Sequence, residues 1–207
     1  MSLIRLTLLL VFLAGLLACQ PDQPDQPATV PDMDLTFELV DETGRGVTHA
    51  DYEGQLRLVF FGFTSCPDIC PITLSNVAAA LQSMGDLAEQ ITVLFVSIDP
   101  HRDSPERLEQ YTQAFHPSVV GLTGSYEQLE KVTKGFRTTF GFTLRDGSGQ
   151  DRPLSREEYE TLADSVHYLP FHSSQVYVIS AGNELVDIIG YGAKPDKIAA
   201  TLRSHLR

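Results

Sequence analysis

The sequence is short of positive charge and of cysteine, and it has no apolar run long enough to cross a membrane. Each shortage removes a class of function. Lysine and arginine number 15 against 27 aspartates and glutamates, for a formal charge of −12. A chain of that sign repels phosphate backbones, so no nucleic acid is expected as a partner. Anionic lipid cannot hold it by charge either. The N-terminal apolar run, Leu6 to Leu17, falls short of the roughly 20 residues a spanning helix needs. Three cysteines, Cys19, Cys66 and Cys70, are too few for a disulfide scaffold. No Lys or Arg lies between Arg57 and His101, so a peroxide-reducing thiol in that stretch would lack the basic neighbour that activates it.

The N-terminus carries more information. Arg5 precedes the apolar run, which contains no acidic residue, and this is the pattern of a secretory signal. The run ends in Leu16-Leu17-Ala18-Cys19, which looks like a bacterial lipobox. Residues 1–19 are therefore expected to be a lipoprotein signal peptide and Cys19 the lipidated residue. The domain that follows is expected to be extracytoplasmic, on the bacterial periplasmic or outer-surface side, and anchored to the membrane through that lipid. Residues 20–34 open with a repeated Gln-Pro-Asp unit and form a proline-rich linker, extended and unable to pack a core. The folded domain is expected over residues 35–207.

Within it, Leu35 to Val40 followed by Asp-Glu-Thr-Gly reads as an N-terminal β-hairpin. Leu56 to Phe63 and Ile91 to Ile98 are continuous apolar runs, the mark of strands buried on both faces. Ile72 to Met84 places Leu74, Val77, Ala78 and Leu81 at helical spacing. Ser104 with Pro105 opens a second helix, which runs to Ala114. Val119 to Leu122 is a short strand, Tyr126 to Phe136 a helix and Thr138 to Leu144 a further strand. Arg145 to Asp164 is polar and is taken as an inserted loop with a helical turn near Glu157 to Leu162. Gln175 to Ser180 and Glu184 to Ile189 form a hairpin, and Pro195 to Leu206 closes the chain as a helix. The sum is an α/β domain with a central mixed sheet flanked by helices.

The chemistry concentrates at Cys66-Pro-Asp-Ile-Cys70-Pro71, where a central strand gives way to a helix, the place where open α/β sheets put their sites. On a helix, residues i and i+4 share a face, so both sulfurs can address one small object. A helix N-terminus also favours thiolate over thiol. Two thiolates are soft donors that select cuprous copper or zinc, and most such sites need a third ligand. Histidine is the usual supplier. His49, His101, His116 and His205 sit in turn or helix-end contexts, which leaves His167 and His172 as competitors on either side of Tyr168 to Phe171.

Residues 56–74, LRLVFFGFTSCPDICPITL, resemble the copper-site segment of the Sco/SenC family of cytochrome oxidase assembly proteins. So do Val96 to Glu106, Gly121-Leu-Thr-Gly124, and His172-Ser173 ahead of Tyr177-Val178. The resemblance implies a thioredoxin-like fold. It implies that Cys66, Cys70 and His172 hold copper as Cu(I), with Cu(II) also open, and that Asp99 and Asp103 are acidic residues behind them. His172 is favoured over His167 because it alone has the following Ser and the strand spacing, although Phe171 stands where the family usually has Asp. The function implied is a metallochaperone that delivers copper to the binuclear copper-site subunit of cytochrome c oxidase or to another copper protein. The alternative is a thiol:disulfide oxidoreductase using Cys66 and Cys70 to keep target cysteines reduced.

Overall fold

Two uninterrupted apolar runs make the middle of the fold. The strands they form, β3 (Leu56–Gly62) and β4 (Ile91–Ser97), pair in parallel over their whole length, and every residue of β3 is buried. The computed structural model describes residues 33–145, 147–163 and 166–206. The expected signal peptide, Cys19 and the linker as far as Asp32 lie outside the described residues.

The hairpin β1 (Glu38–Asp41) and β2 (Gly46–Thr48) comes first in the chain, and β5 (Val119–Thr123) extends the parallel set on the far side of β4. Near the C-terminus β9 (Val176–Ile179) and β10 (Leu185–Ile189) form the second expected hairpin. The resulting seven-stranded mixed sheet has the order β10-β9-β3-β4-β5-β1-β2. This is the expected thioredoxin-like arrangement, with the N-terminal hairpin at one edge.

Because side chains alternate along a strand, β3 feeds two cores. Leu56, Leu58 and Phe60 meet the apolar faces of α1 (Ile69–Met84) and α5 (Pro195–His205), with Leu74, Val77, Leu81, Ile198 and Leu202 fully enclosed. On the other face Val59, Phe61 and Phe63 meet Leu129 and Val132 of α3 (Tyr126–Gly135). Helix α2 (Pro105–Thr112) starts as expected at Ser104, whose hydroxyl accepts the Arg107 N–H at 3.3 Å.

The strand expected at Thr138 to Leu144 is present, and it belongs to a second sheet. Strand β6 (Phe140–Arg145) pairs with β7 (Asp151–Pro153) and with β8 (Tyr168–His172) in a separate three-stranded sheet. The stretch expected to be an inserted loop has its expected helical turn as the short helix α4 (Arg156–Glu160), which Ser155 and Glu158 open with a reciprocal capping box, and the loop reading is corrected by the strand β7. Tyr159 of α4 stacks on Phe142 of β6 at 3.8 Å and 10°, and this contact binds the insertion to the second core. The end of the segment, Asp164, lies outside the described residues.

Candidate metal centre

The site is built on the turn between β3 and α1. The backbone N–H of Cys66 donates to the Phe63 carbonyl at 3.2 Å and closes that turn. Helix α1 begins at Ile69, so Cys66 stands before the helix rather than on its face, and the expected i, i+4 helical pairing is corrected. Pro67 explains this, since a residue preceding proline is kept out of the helical region. The sulfurs converge by another route, with Cys66 Sγ lying over the first turn of α1 and accepting the N–H of Cys70 at 3.5 Å. No acidic side chain occupies that turn to compete for the N–H groups. Cys66 is half-buried and Cys70 is fully buried. Burial pushes the Cys70 thiol well above the usual thiol range.

Gly62, the last residue of β3, makes this placement possible. A Cβ at Gly62 would lie 2.8 Å from Cys70 Sγ and 2.5 Å from Cε2 of Phe95, so the sulfur occupies the space a side chain would need.

The third group comes from the other sheet. His172 ends β8, opposite Phe140 of β6, and Ser173 just beyond it is tied to Thr139 by the Ser173 N–H at 3.0 Å and by hydroxyl contacts at 3.1 and 3.2 Å. His172 Nδ1 donates to the Ser173 carbonyl at 2.9 Å, a partner that assigns the proton to Nδ1 and leaves the Nε2 lone pair facing Cys70 Sγ at 3.5 Å. The edges of Phe60 and Phe63 flank the imidazole at 6.1 and 5.8 Å. Burial holds its pKa below the usual histidine range, against the opposing pull of the Ser173 carbonyl.

Cys66, Cys70 and His172 present ligand atoms that all lie within 4.8 Å of one another. Bonds of about 2.0–2.3 Å to one three-coordinate ion place ligand atoms about 3.5–4 Å apart, so the group has to tighten by about 1 Å. Two sulfurs and one imidazole form a soft donor set.

His167 is not part of this group. It is exposed and precedes the opposite end of β8, about 17 Å from His172 at about 3.4 Å per strand residue. The other histidines are engaged elsewhere: His205 meets Asp187 at 3.5 Å, and His116 Nδ1 accepts the Ser118 N–H at 3.2 Å.

Asp99 and Asp103 are fully buried and act one layer behind the sulfurs. Asp103 accepts the Thr64 N–H at 2.9 Å, the Thr64 hydroxyl at 2.6 Å and the Ser97 hydroxyl at 2.7 Å, which fixes the turn carrying Cys66. Its burial nonetheless raises its pKa. Arg107 clamps the same turn, donating to the hydroxyls of Thr64 at 2.7 Å and Ser65 at 3.3 Å. Asp99 accepts the hydroxyls of Tyr159 at 2.9 Å and Tyr168 at 2.6 Å and pairs with Arg102, so it ties α4 and the start of β8 to the end of β4. Gly62, Thr64, Arg107, Tyr159 and Tyr168 had no place in the reading of the sequence. Only the small residue interrupting an apolar strand at Gly62 offered a local signal.

The family model for SCO1/SenC matches residues 25–207. Protein sco1 of Schizosaccharomyces pombe is 30% identical over 176 residues, covering 84% of this chain and 61% of that protein. The human SCO1 homolog, mitochondrial, is 32% identical over 173 residues, covering 83% of this chain and 52% of that one. The chain thus spans between half and two thirds of the length of these curated relatives. Among solved structures, Arabidopsis thaliana ScoI with copper bound matches with a TM-score of 0.69 and 29% identity over 83% of this chain and 96% of that one. Yeast Sco1 with copper bound matches with a TM-score of 0.71 and 28% identity over 85% of this chain and 89% of that one.

Proposed function

The chain belongs to the SCO1/SenC family, and from that premise we propose that it is a copper metallochaperone. In this reading Cys66, Cys70 and His172 hold copper and pass it to the binuclear copper site of a respiratory cytochrome c oxidase. One observation carries the reading: residues 102 positions apart in sequence, Cys70 and His172, meet at 3.5 Å with Cys66 completing a soft ligand set. The copper-bound relatives from Arabidopsis and yeast support the choice of cargo. Soft sulfur ligands favour Cu(I) over harder ions.

The same geometry suggests how the cargo leaves. Cys70 is fully buried and forms the inner wall, whereas Cys66 and His172 are half-buried and stand nearer the mouth. An incoming thiolate reaches the ion from the half-buried side and displaces Cys66 or His172 first, while Cys70 and the remaining ligand hold the ion until a second bond forms to the recipient. Copper changes hands by ligand substitution, with no change of oxidation state.

We further propose that residues 1–19 are removed, that Cys19 carries a lipid and that residues 20–34 tether an extracytoplasmic domain to the membrane. Among the described residues no helix is long and apolar enough to cross a membrane.

The test is anaerobic titration of the reduced full-length chain with cuprous ion against a chromophoric competitor, alongside Cys66→Ser, Cys70→Ser, His167→Ala and His172→Ala. Uptake of one equivalent, lost in either cysteine variant and weakened by His172→Ala alone, is the expected result. No uptake, or binding unchanged when both histidines are replaced, overturns the reading. The proximity of the sulfurs also suits thiol–disulfide exchange. Turnover of a protein disulfide in the absence of copper would establish that second role.

A further inference from the structure

Tyr111 on α2 has a hydroxyl that its surroundings leave unused. The oxygen is buried and has no hydrogen-bond partner among the described residues. The ring alone accounts for the packing, lying 5.3 Å from Phe95 and 5.1 Å from Phe115, and phenylalanine would serve that purpose without enclosing a polar atom. A buried hydroxyl left unbonded is costly and calls for a specific reason.

Its position supplies one. Phe95, against which the ring packs, shares with Cys70 Sγ the space over Gly62. Tyr111 and Cys66 both pack against the core cluster that contains Cys70 and Phe95. Burial raises the Tyr111 pKa, and the nearby acidic groups Cys70, Cys66 and Asp103 add to the shift. Asp103 already accepts three hydrogen bonds. The sulfurs are different. As thiols they are weak acceptors, but once their protons leave and they hold a cation, each becomes an anionic acceptor with lone pairs to spare.

Building on the copper reading above, we propose that Tyr111 is a positioning residue for the metal-loaded site, its hydroxyl donating a hydrogen bond to a thiolate sulfur of the Cys66/Cys70 pair. No electron moves and no covalent bond forms, and the phenolic proton stays on oxygen. Such a bond draws electron density from the sulfur and so favours Cu(I) over Cu(II) at the site.

Tyr111→Phe in the full-length chain tests this, since it removes one oxygen and keeps the ring. Both proteins are loaded with copper and, separately, with mercuric ion, which a dithiol holds whatever the natural cargo. Three results are expected. Ultraviolet resonance Raman difference spectra, wild type minus variant, show a tyrosine hydrogen bond gained on loading with either ion. The sulfur-to-Cu(II) charge-transfer band moves to lower energy in the variant. The ratio of Cu(I) to Cu(II) affinity falls about tenfold, the low end of what outer-shell partners are worth at metal sites. The urea midpoint of the metal-free variant is expected to equal or exceed that of wild type, and a clear drop would show that the hydroxyl already has a partner and overturn the proposal. An unchanged tyrosine signal on loading with mercuric ion, or an unchanged charge-transfer band and affinity ratio, also overturns it. A wild-type chain that takes up no copper sinks the chaperone reading, while the mercuric arm still decides this one.

Discussion

Gly62→Ala is the substitution in which stability and metal binding should fail for one shared and local reason. Gly62 is not among the glycines with positive φ, so its backbone accepts a side chain without strain. At a compatible position an added methyl stabilises by about 0.4–1 kcal/mol through the unfolded chain. Here the methyl meets Phe95 Cε2 at 2.5 Å and Cys70 Sγ at 2.8 Å, whereas carbon contacts prefer about 3.5–4.0 Å. Something has to retreat by about 1 Å, and overpacking of this kind costs about 1–3 kcal/mol. The net expectation is a loss of about 1–2 kcal/mol. Phe95 is fully buried and braced by Phe60 at 6.0 Å and Tyr111 at 5.3 Å. The ring has to shift to relieve the 2.5 Å contact, and the sulfur, which turns on a single χ angle, is displaced with it. That movement opens the 3.5 Å contact to His172 and should lower Cu(I) affinity about 10- to 100-fold, as lost support does at other metal sites. Urea unfolding of the metal-free chain and competitive Cu(I) titration read the two effects separately. Gly46→Ala in β2, where a Cβ meets nothing within 4 Å, is the control expected to leave both unchanged or to gain slightly in stability. If Gly62→Ala unfolds no earlier than wild type and binds Cu(I) as tightly, the packing argument is refuted.

His172→Ala should weaken Cu(I) binding by at least about 100-fold, beyond the range for an outer-shell partner, whereas His167→Ala should change it by less than about twofold; equal effects in a titration would contradict the assignment. Copper affinity should rise at least about tenfold per pH unit through neutrality, because burial keeps the Cys70 thiol protonated until the ion displaces its proton; a flat profile in a pH series would speak against this. Burial lowers the His172 pKa from 6.5, so the metal-free protein should keep this contribution above pH 6.5 and lose it as pH falls through the depressed folded value. Urea midpoints from pH 7.5 down to pH 5 would show the loss, and His172→Gln should reduce it. Asp99→Ala should cost about 2–5 kcal/mol by leaving the buried Tyr159 and Tyr168 hydroxyls without their acceptor and the half-buried Arg102 without its partner. It should also weaken Cu(I) binding through β8, and normal stability in a urea titration would show that those bonds are not structural.

The reading of the sequence succeeded where the physics is local. The apolar runs of β3 and β4, the Ser104 cap and the Ala181-Gly182-Asn183 hairpin announce themselves within a few residues, and the structure has all of them. The thiol pair is visible from its spacing, whereas its geometry depends on Pro67, which keeps Cys66 outside the helix. Strand β8 was hidden by Pro170, which is a poor residue for a central strand; the order β7-β6-β8 shows that β8 is an edge, where proline is tolerated. Without that strand His167 and His172 looked like near neighbours, and only the resemblance separated them. The partners of Asp99 and Asp103 lie 39 to 69 residues away, apart from Ser97, Arg102 and Arg107, and no local pattern encodes pairings of that range.

The two halves of the candidate site sit on different sheets, the sulfurs at the end of β3 and the imidazole at the end of β8. An ion held by all three ligands is therefore a removable cross-link. It should slow amide exchange in β6 and β8 far more than in the central strands, whose protection owes nothing to it. A recipient or a protease could then distinguish a full carrier from an empty one by the stiffness of the small sheet, without touching the ion.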